Sequence, residues 1–125
     1  MTPVALPLLF VLDAVLVGVF ATFGRGAHSE GLGVAEVWAT AWPFLLGLVV
    51  GWSALFVLRR DPATVRSGVL VWLVTLVGGM VMRGLGDGRV PHWSFIMVAA
   101  TALAVLLVGW RAVGAAMARR RTRLR

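Results

Sequence analysis

Four apolar runs, separated by short polar connections, organise this chain. Val4 to Phe23 is broken only by Asp13, and Val37 to Leu58 carries "WPFLLGLVVGW" at its centre. Gly68 to Met82 is shorter, and Ser67 with the snorkelling Arg66 and Arg83 extends it to the interfaces. Trp93 to Ala118 is the fourth run and is broken by Arg111. A spanning helix needs roughly 20 predominantly apolar residues. In lipid only helices and closed barrels satisfy the backbone, and these runs are too long and continuous for barrel strands. The connections "GRGAHSEGLG", "RRDPATVR" and "GLGDGRVPH" hold the glycine, proline and charge that mark loops. The pattern predicts an all-α membrane protein, an up-down-up-down bundle of four helices over about 4–23, 37–58, 67–83 and 93–113 or slightly beyond. The transmembrane domain would then cover 1–118, with a basic tail over 119–125. The first run has no basic residue before it and no small-residue cleavage pattern after it, so it reads as a retained helix rather than a signal peptide.

Composition agrees with the pattern. The chain of 125 residues is 60% hydrophobic and 14% charged, with a mean hydropathy of +0.93. A soluble domain carries about a quarter charged residues. The net charge of +7 would suggest nucleic acid in a soluble protein, but the positive residues cluster between apolar runs. They set topology instead. All twelve basic residues are arginine, and cysteine is absent, which excludes disulfides and thiolate chemistry within this sequence.

Arginine placement predicts orientation. Arg59, Arg60 and Arg66 follow the second run, and Arg119, Arg120, Arg121, Arg123 and Arg125 follow the fourth. The other two loops hold Arg25, Arg83 and Arg89. The positive-inside rule places both termini and the second loop in the cytoplasm of a multi-pass plasma (inner) membrane protein. The tail "ARRRTRLR" is expected to contact anionic lipid head groups. Without interleaved aromatics or a folded module, it is not expected to bind nucleic acid. Trp38, Trp42 and Trp93 fit an outer interfacial belt, Trp72 and Trp110 lie nearer the inner side, and Trp52 falls deeper; anchoring and packing account for all six.

Asp13 and Arg111 raise the chemical question. At about 1.5 Å per residue, Asp13 lies roughly 15 Å from Pro3, and Arg111 roughly 12 Å from Arg119. The acid and the arginine that interrupt apolar runs thus fall at similar depth from the same face. An unpaired charge there costs at least about 2.5 kcal/mol, and an arginine fork grips a carboxylate with two hydrogen bonds. These costs predict an intramembrane ion pair between the first and fourth helices. Ser53 and Thr75 fall at comparable depth and complete a polar cluster, unless their hydroxyls bond to their own helix.

Small residues and loops add less. Gly47 and Gly51 form a G-x-x-x-G, with Gly78 and Gly79 on the third helix, a spacing that lets backbones approach and leaves room for a homodimer or a membrane-protein partner. Arg25, His28, Glu30, Arg83, Asp87 and His92 form a polar network at the outer loops, within which Arg25, Glu30 and Asp87 interact. His28, Glu30 and His92 lack metal-ligand spacing, so neither a metal nor another cofactor is expected. "VVGW" before "RR" and "LVGW" before "RRR" echo one another at the inner ends. No catalytic motif is present.

Asp13, "FGRGAHSEG", "WPFLLGLVVGW", "VWLVTLVGGMVMRG" and "SFIMVAATALAVLLVGWR" together resemble the integral membrane proteins grouped as domain of unknown function 3054. Gly24, Arg25 and His28, and then Gly109, Trp110 and Arg111, are the most specific pieces. The resemblance implies a membrane protein of about this length and brings no activity. Two functions stand open, and the intramembrane acid with the hydroxyls at its depth favours the first. One is a small-solute, ion or proton-coupled transporter or permeation unit using Asp13. The other is a non-catalytic accessory or scaffold subunit in which Asp13 and Arg111 form a structural clasp.

Overall fold

The computed structural model describes residues 5–27 and 31–124. It is helical throughout: α1 (Ala5–Ala27), α2 (Val34–Leu58), α3 (Val65–Asp87), α4 (Trp93–Leu103), a π-helical turn (Ala104–Val108) and α5 (Gly109–Leu124). The last three stack end to end as one span, Trp93–Leu124. All four spans are long and apolar enough to cross a membrane, and their most apolar windows are only 22–44% buried within the chain. The remaining surface, with Leu8, Val15, Val50, Val57, Val77 and Val81 exposed on it, is apolar and suited to lipid. The protein is a polytopic membrane protein.

Local chemistry sets the helix ends. Thr64 caps α3, its hydroxyl accepting from the Ser67 amide at 3.2 Å. This puts Val65, Arg66 and Ser67 inside the helix. α2 stops at Arg59, which takes a left-handed conformation (φ 55°). There the Arg59 amide donates to the Phe56 carbonyl and the Arg60 amide to that of Leu55, the paired bonds of a Schellman end. α3 stops at Gly88 with φ 71°, a value glycine adopts at little cost.

The fourth span runs beyond 113, and the basic segment expected after it is helical through Arg119, Arg120, Arg121 and Arg123. Alanine and arginine are strong helix formers, and no proline follows Gly114. Arg125 lies outside the described residues.

The core runs along the bundle axis through Val17, Phe20, Phe44, Leu48, Trp52, Leu55, Val71, Ala99, Leu103 and Leu107. Toward one end, Phe20 meets Phe44 edge-on at 5.0 Å, and Phe44 meets Phe95 at 6.2 Å. Toward the other, Phe10 meets Trp52 edge-on at 5.5 Å.

α2 and α3 form the most intimate pair. A Cβ on Gly47 would stand 2.8 Å from the Thr75 carbonyl oxygen, and one on Gly51 would stand 3.4 Å from Val71 Cα. From the other side, a Cβ on Gly78 would stand 3.2 Å from Gly47 Cα, and one on Gly79 would run into the Phe44 ring. The glycine spacing that left room for a homodimer is therefore taken up inside the protomer, where backbones touch.

Candidate functional site: a saturated carboxylate inside the bundle

Asp13 and Arg111 are both fully buried. The guanidinium grips the carboxylate with two bonds, Nη2 to Oδ2 at 2.7 Å and Nη1 to Oδ1 at 3.1 Å. Two indoles complete the shell. Trp52 Nε1 donates to Oδ2 at 2.8 Å, and Trp110 Nε1 donates to Oδ1 at 2.8 Å. An ionised carboxylate offers about four acceptor positions. Four N–H donors therefore saturate it.

Arg111 is anchored as thoroughly. Nε donates to the Pro62 carbonyl at 2.7 Å, and Nη1 also donates to the Leu107 carbonyl at 2.8 Å. The Trp110 ring that bonds the carboxylate also lies under the guanidinium, 4.4 Å from centroid to Cζ. Cation–π attraction of this kind strengthens where water is excluded.

The chain is built to present these groups. The turn between α2 and α3 is braced by Asp61, whose Oδ1 accepts from the Ala63 amide at 2.9 Å and whose carbonyl accepts from the buried Ser67 hydroxyl at 2.6 Å. This holds the Pro62 carbonyl toward Arg111. Gly68 clears the arginine's path, since a Cβ there would stand 2.5 Å from Arg111 Cδ. The π turn supplies the Leu107 carbonyl and sets the rotational phase of α5. An uninterrupted α-helix of this sequence would carry Trp110 and Arg111 about 100° further round the axis.

Anchoring and packing do not account for all six tryptophans. Trp52 and Trp110 are ligands of the acid, and Trp72 Nε1 donates to the Ala100 carbonyl at 2.9 Å. In a dry interior an indole N–H needs an acceptor. The signal was the Gly-Trp echo, since both tryptophans close a "VGW". The π turn has no counterpart in sequence, because "AVLLV" is ordinary helix.

Trp110→Phe keeps the ring and removes the donor, leaving a buried carboxylate oxygen short of one bond. Thermal unfolding in detergent should show a loss of about 1–3 kcal/mol. Trp72→Phe relieves only a carbonyl already bonded within its helix and should cost less.

Ser53 does not join the cluster. It faces outward and bonds to the Val49 carbonyl of its own helix at 2.8 Å, because Trp52 next to it takes the inward face. Thr75 is fully buried against Gly47, and its hydroxyl has no hydrogen-bond partner among the described residues.

The loop residues sit in two groups. Arg25 donates to the Gly31 carbonyl at 2.6 Å and to the Thr40 hydroxyl at 2.9 Å, and lies 3.7 Å from Glu36. It ties α1 to α2. Asp87 stands 4.0 Å from Arg83 one turn back on its own helix, and Arg83 lies over the Phe95 ring at 4.5 Å. His92 caps α4, its Nδ1 accepting from the Ser94 amide at 3.1 Å. His28 and Glu30 lie outside the described residues.

Comparison with known proteins gives a relative and a family. The chain is 35% identical over 86 residues to the divalent metal cation transporter MntH of Bradyrhizobium diazoefficiens. The match covers 69% of this chain but only 18% of that protein. No solved structure matches. The family model described as protein of unknown function (DUF3054) matches residues 10–114, which takes in Asp13, Trp52, Trp110 and Arg111, and the chain belongs to that family.

Proposed function

We propose that the protein is a non-catalytic structural or accessory unit of the membrane, in which the Asp13–Arg111 cluster clasps the first, second and last spans and the α2–α3 turn. One observation carries this reading: Asp13 is fully buried with its acceptor positions filled by four N–H donors. A coupling carboxylate must exchange its partners for a proton or an ion. This one has no free oxygen lone pair, and Arg111 beside it repels cations. The cluster draws on α1, α2, the α2–α3 turn and the last span, as a device for holding a bundle would.

The arginines support an up-down-up-down arrangement in the plasma (inner) membrane, with the clasp in its cytoplasmic half. Arg59, Arg60 and Arg66 flank the turn that carries Pro62, and the helical arginines of α5 come after Arg111. Those exposed arginines suit contact with anionic head groups.

A second reading is transport of a divalent cation, favoured by the partial similarity to MntH. Among the described residues no group of three or more histidine, cysteine, aspartate or glutamate side chains gathers to bind one. Hard cations bind through oxygen ligands.

Proteoliposomes carrying a pH dye and a divalent-cation dye separate the two. The expected result is the same passive leak for wild type and Asp13→Asn. Manganese or proton flux in wild type above that of protein-free liposomes would overturn the structural reading.

A further inference from the structure

Around the α3–α4 turn the surface has two adjoining cavities. The first, about 420 Å³, is mixed, with a polar side of Arg83, Asp87, Arg89, His92 and Ser94 and an apolar wall that includes Phe95. The second, also about 420 Å³, is a furrow lined by Met80, Val81, Leu85 and Ile96. Arg89, Val90 and Pro91 line both and form the lip between them. Each volume falls in the range of small-molecule sites, roughly 300–1,000 Å³.

We propose that this pair of cavities is a binding site for one anionic phospholipid, with its phosphate in the polar chamber and an acyl chain along the furrow. Charge argues for the anion, because the polar chamber sets two guanidiniums against the single carboxylate of Asp87. His92 accepts through Nδ1 in capping α4, which leaves its Nε2 as an N–H donor beside the arginines. The Arg83 side chain and the Arg89 backbone are held in place beforehand. Arg83 rests on the Phe95 ring, and the backbone of Arg89 is tied to Gly84 by its amide at 3.1 Å. An arginine fork matches two phosphate oxygens. Position argues for a lipid rather than a free anion: the chamber lies where an apolar span ends, and the furrow continues from it along the span.

The test uses the full chain with Arg119, Arg120, Arg121 and Arg123 changed to Gln, so that α5 does not compete for anionic lipid. Short-chain phosphatidylglycerol is titrated into the detergent-solubilised protein, and adducts are counted by native mass spectrometry. Phosphatidylcholine and inorganic phosphate serve as comparisons. One phosphatidylglycerol should bind per chain, more tightly than phosphatidylcholine, whose choline cation meets two arginines. Arg89→Gln should weaken binding about fivefold, the factor one surface arginine is worth toward anionic lipid. Leu85→Trp fills the furrow at an exposed position without altering charge, and it should weaken binding too. Arg89→Gln binding like its parent would overturn the proposal. Inorganic phosphate binding as tightly as the lipid would overturn it as well, since the furrow would then contribute nothing.

Discussion

Arg111→Gln should destabilise the detergent-solubilised protein by about 3–5 kcal/mol, the usual consequence of leaving one member of a buried ion pair without its partner. The loss has three sources. Asp13 keeps two indole donors but loses its counter-ion, the Pro62 carbonyl loses the bond that ties the α2–α3 turn to the last span, and the Leu107 carbonyl in the π turn loses the Nη1 donor. Asp13→Asn should also be costly, because the amide NH₂ would face donors where the carboxylate presented only acceptors. The informative variant is the double change, Asp13→Asn with Arg111→Gln. If the two residues exist for one another, its cost should fall short of the sum of the single costs by about 1 kcal/mol or more. Chemical or thermal unfolding of all four proteins in one detergent measures this. Strictly additive costs would mean that the pair does not act as a unit, and the clasp reading would fail.

Gly47→Leu should be the most damaging change away from the charges. Its side chain would enter where the Thr75 backbone already stands against the glycine, and a backbone cannot step aside as a flexible side chain can. Separating α2 from α3 would loosen the Gly51–Val71 and Gly79–Phe44 contacts together. The cost should reach or exceed about 3 kcal/mol, the upper part of the range for overpacking. Gly18→Ala provides the contrast. A Cβ there meets nothing among the described residues within 4 Å, so stability should hold or rise slightly, since alanine favours helix over glycine. Equal damage from both would show that the α2–α3 contact is not what Gly47 serves.

The four spans and the pairing of Asp13 with Arg111 are legible in the sequence because lipid permits few solutions. Backbone polar groups must be bonded internally, and a charge deep in an apolar run needs a partner. Depth counting along two helices is enough to match the acid to the arginine. What it cannot supply is azimuth. Depth places Ser53 beside Asp13, but rotation about the axis turns Ser53 outward and Trp52 inward. Azimuth is set by packing, and in the last span by a π turn whose residues carry no mark. Indoles therefore stand where depth alone suggests hydroxyls. Helix ends are set by caps such as Thr64 and by the helical preference of the arginine run, both weaker signals than hydropathy.

The partners of Asp13 are far apart along the chain. Trp52 lies 39 residues beyond it, and Arg111 lies 98 residues beyond. Proteins are synthesised at roughly 5–20 residues per second, so a newly inserted acid waits on the order of 5–20 s for its arginine. The second span reaches it first and brings an indole N–H that can shield the carboxylate in the interval. Within the first two spans Trp52 is the partner of Asp13, and the last span delivers Trp110 and Arg111 side by side. The carboxylate that locks the finished protein thus depends on its last span, and a chain truncated before Arg111 would keep Asp13 in the membrane without its counter-ion.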